Sequence, residues 1–337
     1  SPLDPEQMTS QQRRRWLDFC EWQQNVLPDF ARKIAEIVLE FYPAEKVKIK
    51  PGGSAGGINP LSWGTNCPGF AKTLSGLAIG AQPADAHGAV FGDKWAYTAY
   101  RHYGIPFSSE TAGGIEYNDQ VRRIFSDASA GAIQLFTYEY DKHGPVVQKY
   151  IHLYQGKYPK TTTAVYAPIT DFRFGRSLAP TIHASQKLRD VTDFDVLDEL
   201  LIRDGFLSRY THLVLFQAEW MESDVMERIQ NWQKQGGVTI AFLDRQTRLI
   251  EGQDAAPYSV CLPASDCRGE ASLLSLYEKL PPSLDGKPDG LWITEYLDGS
   301  VLLYNDTNQS IYRTIEHAGG SRRILVEAHT IAAIPAN

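Results

Sequence analysis

Cysteine is scarce in this chain: four residues in 337, Cys20, Cys67, Cys261 and Cys267. That is too few for a disulfide scaffold, and no spacing resembles a zinc site. Cys261 and Cys267 are placed to pair across a loop; free thiols are the equal alternative. No apolar run approaches the roughly 20 residues of a membrane helix. No signal-peptide pattern follows Ser1; the location stays open, with the cytoplasm favoured. Ser1 rather than Met suits a processed or trimmed product. Positive charge is not in excess: 33 Lys and Arg stand against 40 Asp and Glu, for a net charge of -7. This argues against nucleic acid or an anionic membrane as partner. The glycine-rich Pro51-Gly-Gly-Ser-Ala-Gly-Gly57 lacks the P-loop pattern, and no G-x-S-x-G elbow occurs. There is no internal repeat or low-complexity segment, and no cofactor or metal is expected.

Aromatics, by contrast, are plentiful: seven Trp, seventeen Tyr and fourteen Phe. Core packing accounts for most; sugar sites also use such faces as platforms for pyranose rings. From Thr9 to Tyr42, apolar residues from Trp16 to Phe41 recur at three- and four-residue spacing. This predicts one long amphipathic helix or two joined ones, with Pro28 as a kink and Pro43 as the end. Four helix–strand alternations follow. The expected strands are Lys46–Lys50, Ala86–Phe91, Ile105–Ser109 and Ala132–Tyr138. Expected helices include Trp95–Tyr103, Tyr117–Ala130 and Val146–Gln155. Such alternation indicates parallel β/α units, but four strands cannot close an eight-stranded barrel.

The most informative stretch is Gly104-Ile-Pro-Phe-Ser-Ser-Glu-Thr-Ala-Gly-Gly114. A short apolar run ends in Ser108, Ser109 and Glu110 before breaking into glycines. In a β/α barrel, a carboxylate at the carboxyl end of a strand projects into the catalytic mouth. The competing reading is a loop glutamate at the start of the next helix.

After Thr163 the pattern restarts. Strands are expected at Ala164–Pro168, His212–Phe216 and Val238–Phe242. Helices are expected at Asp193–Asp204 and Ser223–Gln235, the latter with Ser223 as N-cap and Gly236-Gly237 as its stop. This reads as a flavodoxin-like α/β domain. Beyond Pro281 the chain turns to short strands from Leu291, with Asp298-Gly299 as a hairpin signal: a small antiparallel β domain.

This order of parts resembles the β-galactosidase-like retaining glycoside hydrolases with a glutamine-amidotransferase-like trimerisation domain, families 42 and 164. The best-matching pieces are Ile105–Glu110, Gln134–Tyr138 and Phe194–Gln217. The resemblance implies the C-terminal half of a TIM (β/α)8 barrel (strands 5–8) over residues 1–158. A flavodoxin-like oligomerisation domain over 159–282 and a C-terminal β domain over 283–337 would follow. Glu110 would be the nucleophile at the end of strand seven, acting on β-galactosides or β-mannosides in exo fashion. The family's acid/base is a glutamate, usually after an asparagine, on strand four. No Asn-Glu pair occurs here, so that residue is expected on an N-terminal half-barrel preceding Ser1 or carried by a second chain.

Retaining glycosidases need two carboxyl groups about 5–5.5 Å apart. Glu139 and Asp141 are the only nearby substitutes for the second. Trp63, Asp85, His87, Tyr138 and Glu139 stand as sugar-binding candidates by position. Active amidotransferase chemistry is excluded because neither Cys261 nor Cys267 has the glycine setting of that nucleophile. The resemblance further implies a homotrimer. Two readings compete with a glycosidase: a non-catalytic carbohydrate-binding or assembly subunit and, more weakly, another α/β hydrolase.

Overall fold

A computed structural model describes residues 4–51, 66–83, 90–110, 115–255, 257–264, 276, 278–280, 289–317 and 320–336. The chain opens on a 3-10 turn and a long helix, Ser10–Leu39. Thr9 and Gln12 close its amino end as a reciprocal capping box. Pro28 sits inside this helix without ending it. The buried side chains are Arg13, Leu17, Cys20, Gln24, Pro28 and Ala35, spaced by three, four and seven residues. The stripe singled out by apolar periodicity lies mostly elsewhere. Phe19, Val26, Leu27, Phe30, Ile34 and Ile37 are exposed, as are Trp22 at 65% and Phe41 at 73%. The reason is local: Gln24 accepts two hydrogen bonds from the Arg173 guanidinium. Its face therefore turns inward although it is the less apolar one.

Four parallel strands follow: β1 (Lys48–Ile49), β2 (Gly80–Ala81), β3 (Ser108–Glu110) and β4 (Gln134–Phe136). Pairings β1–β2 and β3–β4 are parallel, and the bridge between Ala81 and Phe107 joins them in sequence order. Helices Cys67–Leu74, Val90–His102 and Tyr117–Ala130 lie between them in sequence, and Tyr140–Tyr150 follows the last.

Two expectations change here. The second strand is Gly80–Ala81, not Ala86–Phe91; Val90 and Phe91 open a helix, and 84–89 lie outside the described residues. Pairing rather than propensity makes this strand, since the amides of Gly80, Ala81 and Gln82 donate to Val47, Pro106 and Ile49. The last helix begins at Tyr140 and ends at Tyr150, earlier than Val146–Gln155, and so takes in Asp141.

The second sheet has five parallel strands: β5 (Thr163–Tyr166), β6 (Asp195–Leu197), β7 (His212–Leu215), β9 (Val238–Phe242) and β11 (Val260–Leu262). A minor parallel pair, β8 (Trp220–Met221) with β10 (Arg248–Leu249), flanks it. The sheet order is β11-β9-β7-β5-β6. Numbered within the sheet this is 2-1-3-4-5, a doubly wound order whose switch point lies between β5 and β7. Asp193–Asp204 is not one helix. It supplies β6 and then the Glu199–Arg203 helix, with Asp198 capping through Leu201 N–H at 2.9 Å. Asp195, Val196 and Leu197 are all buried, so the tertiary site overrides the helical spacing. Ser223 opens its helix, but Glu222 holds the cap position and makes no side-chain cap bond.

The last part holds β12 (Leu291–Glu295), β13 (Val301–Asn305), β14 (Ile311–His317), β15 (Gly320–Val326) and β16 (Ile331–Ile334). They form an antiparallel sheet β12-β13-β16 and the hairpin β14–β15. Gly299, with φ +84°, makes the Asp298-Gly299 turn. Cys261 is a free exposed thiol, and Cys267 lies outside the described residues. Among the described residues no helix is long and apolar enough to cross a membrane.

One helix joins the sheets. Every residue from Val90 to Arg101 is buried, and the helix carries its charges into the interior. Lys94 Nζ meets Asp193 at 2.8 Å, and Arg101 pairs with Asp195. Arg189 lies 3.7 Å from Asp193 and donates to the Ile293 carbonyl and the Thr294 hydroxyl of β12. Burial pushes the Asp195 carboxyl up, but Arg101 and Lys94 outweigh it and hold the group at about 2.

Two outcomes follow from these pairs. Asp193→Ala leaves Lys94 and Arg189 without their carboxylate and should cost about 3–5 kcal/mol in denaturant unfolding; a loss below about 1 kcal/mol would contradict this network. Asp195 stabilises fully above its ordinary value of 3.8. That contribution should fade as pH falls from about 4 toward about 2, measurable as acid-induced loss of Tm.

Candidate active site

The carboxyl ends of β1–β4 converge on one side chain. Glu110 is the last residue of β3 and is 6% exposed. Its direction is fixed from behind by Ser109, whose side chain points to the opposite face of the strand. The Ser109 hydroxyl donates to Asp127 on the Tyr117–Ala130 helix, as do the hydroxyls of Tyr97 and Tyr154, each at 2.9 Å. With Ser109 tied outward, Glu110 projects inward.

Three neighbours grip its carboxylate. Lys50, just past β1, donates to Oε1 at 2.8 Å. Tyr138, two residues past β4, donates to the same oxygen at 2.7 Å. Gln82, just past β2, donates to Oε2 at 3.1 Å. Each of the four strands thus contributes one group. Burial raises the Glu110 pKa, but the bonds from Lys50, Tyr138 and Gln82 outweigh it and hold the carboxyl below its ordinary value. Glu110 is therefore an ionised acceptor at neutral pH. Among the described residues Oε1 takes two hydrogen bonds and Oε2 one, so Oε2 is the less occupied oxygen.

Around this centre the face stays polar and aromatic. Lys48 donates to Ser108 Oγ at 2.9 Å and to Gln134 Oε1. Phe136 and Tyr138 meet edge to face at 5.1 Å, both solvent-facing, and the Lys50 ammonium lies 5.9 Å from the Phe136 ring centroid. The face thus sets a charged centre beside exposed aromatic surface.

The sequence candidates divide clearly. Glu110 and Tyr138 are brought together. Glu139 is not joined to them by any described hydrogen bond: it precedes the Tyr140–Tyr150 helix with φ +55°, its carboxylate 3.7 Å from His143 Nε2. Asp141 lies in the first turn of that helix. None of the described hydrogen bonds or ion pairs to Glu110 comes from a second carboxyl group. Trp63, Asp85 and His87 lie outside the described residues. Sequence reasoning missed Lys50 and Gln82. Lys50 was legible in the alternation Lys46-Val-Lys-Ile-Lys50, which puts Lys48 and Lys50 on one face; Gln82 stands between Ala81 and Pro83, where no strand pattern marks it.

A cavity of about 400 Å³ lies elsewhere, at the carboxyl end of the five-stranded sheet. Chemistry rather than room singles out Glu110. The grip itself is testable: Lys50→Met should raise the Glu110 pKa, read by carbon-13 NMR of its side-chain carboxyl. An unchanged titration would mean that Lys50 does not hold the carboxylate in solution.

No family model matches the chain, and no curated protein matches it in sequence. Solved structures do resemble it in fold. A β-galactosidase from Bacillus circulans sp. alkalophilus aligns at TM-score 0.65 and 11% identity, over 94% of this chain and 67% of that one. One from Halorubrum lacusprofundi aligns at TM-score 0.64 and 12% identity, over 96% and 68%. An exo-carrageenase of glycoside hydrolase family 42 from Bacteroides ovatus aligns at TM-score 0.62 and 9% identity, over 95% and 56%. The chain thus spans between 56% and 68% of the length of these three. At such identities the likeness is one of fold: a mixed α/β chain with parallel sheets, similar to the family 42 β-galactosidases.

Proposed function

We propose that this chain is the carboxyl-terminal part of a retaining glycosidase, exo-acting on β-galactosides or β-mannosides, with Glu110 as nucleophile. The observation that carries this reading is the convergence of four strand ends on one buried, ionised carboxylate. In this mechanism Oε2 attacks the anomeric carbon and the glycosidic bond breaks as a general acid protonates the departing oxygen. Water then releases the sugar from the glycosyl-enzyme with net retention. Lys50, Gln82 and Tyr138 keep the carboxylate ionised and oriented.

The second carboxyl group belongs, on this reading, to a complementary β/α half that closes the barrel. Two features support such a half. Among the described residues the outer edges of β1 and β4 carry no further strand, and exposed edges invite pairing. The Ser10–Leu39 helix, next to β1 in sequence, presents Phe19, Trp22, Phe30 and Ile37 to solvent. Full burial of each such side chain is worth about 1.5–3 kcal/mol, a strong bias toward a cover. The barrel portion spans residues 1–158, the oligomerisation module 159–282 and the β domain 283–337, with a homotrimer as the assembly.

An activated aryl glycoside separates the roles, because dinitrophenolate departs without a general acid. Glu110→Gln should lower turnover of dinitrophenyl β-galactoside or β-mannoside by about 10⁴-fold or more. Added azide should restore Glu110→Ala and yield the glycosyl azide of inverted configuration. Turnover insensitive to Glu110 would refute the assignment; sugar binding with no turnover in the wild type would make the chain a binding subunit.

A further inference from the structure

The cavity of about 400 Å³ on the five-stranded sheet has no part in the chemistry at Glu110. Its size falls within the roughly 300–1,000 Å³ of small-molecule sites. It lies over the carboxyl ends of β7 and β9, lined by Phe216 and Gln217 after the first and Leu243–Gln246 after the second. In open parallel sheets ligands bind outside the carboxyl ends of the strands, at or beside the switch point.

The walls are built rather than incidental. Phe216 and Phe242 stack at 5.4 Å to form the floor. Asp171, fully buried, accepts the backbone N–H groups of Glu219 and Trp220 at 2.8 and 2.7 Å and fixes the wall that those residues form. Trp220 is held by guanidinium groups, with Arg13 4.9 Å and Arg248 5.7 Å from its ring. Gln217 Oε1 is buried with no hydrogen-bond partner among the described residues, a cost that a ligand hydroxyl would relieve.

The charges in the lining decide the ligand class. Arg176, Arg245 and Arg248 face Glu6, Glu219 and Asp244, three of each sign. Arg176 pairs with Glu219 at 3.3 Å and Arg248 with Glu6 at 3.1 Å. A balanced lining gives no net attraction to a multiply charged anion. Planar polar groups beside an apolar floor match a neutral molecule with many hydroxyls and one apolar face. We infer that this cavity is a second binding site, taking a neutral mono- or disaccharide, independent of Glu110.

The test is a titration of the nitrogen-15-labelled full chain with galactose and with lactose, following the Trp220 indole N–H. Saturable shifts are expected, and they should persist in Glu110→Gln. Gln217→Leu and Arg245→Ala should each weaken binding at this resonance by about 10-fold while their thermal melts match the parent. A Trp220 signal unmoved by either sugar overturns the inference. So does binding unaffected by both substitutions, or a response to inorganic phosphate alone.

Discussion

The structure depends on a set of buried charges that must neutralise one another. Lys94 and Arg101 leave the Val90–His102 helix and meet Asp193 and Asp195 beside β6. Arg189 adds a third cation and continues to the Ile293 carbonyl, so the helix, the β6 region and β12 share one polar seam. Arg189 also lies against the rings of Phe125 and Trp292, 5.3 and 5.9 Å from their centroids. Burial disfavours each of these charges; the partners outweigh it at Asp193, whereas at Lys94 and Arg189 they offset it only in part and the pKa stays lowered. Replacing such a lattice by an apolar core of similar volume is often neutral or stabilising, whereas removing one partner is strongly destabilising. The helix follows β2 and precedes β3. It therefore ties the strands that lead to Gln82 and Glu110 to the second sheet.

The same logic is repeated at smaller scale around Glu110. Ser109 commits its hydroxyl to Asp127 behind the strand, so the alternation of β3 has one outcome in front. Three donors from three other strand ends then define the carboxylate's position and charge. Nothing in this arrangement requires a long strand: β1 and β2 contribute two residues each. Position comes from pairing and from the helices behind, and chemistry comes from the residue just beyond each strand. The sugar-sized cavity on the other sheet follows this rule too, since its polar groups again stand beyond strand ends.

Much of the fold was legible in the sequence where burial and periodicity agree. Tyr117–Ala130 and Val238–Phe242 have the bounds that their spacing predicts. Reading failed where tertiary contacts override local pattern. Asp195-Val-Leu197 has helical spacing but forms a strand, because Arg101 neutralises Asp195 inside the sheet edge. Gly80-Ala81 has no strand propensity and is extended only through its neighbours' carbonyls. The long helix shows the reverse: its extent was legible, but Gln24 and Arg173 settle which face turns inward. At the site, Glu110 stood out because a lone carboxylate ended an apolar run. Lys50 and Gln82 act through convergence in space, which spacing along one chain does not encode.

On the proposed function Glu110 is a preorganised nucleophile. Its most direct test is covalent trapping with a dinitrophenyl 2-deoxy-2-fluoro-β-galactoside or the corresponding mannoside, followed by peptide mass mapping. One fluoroglycosyl group per chain is expected, on the peptide carrying Ile105-Pro-Phe-Ser-Ser-Glu110, and none in Glu110→Gln. Labelling of another carboxylate, or no labelling of an assembly that turns over the parent glycoside, would contradict it.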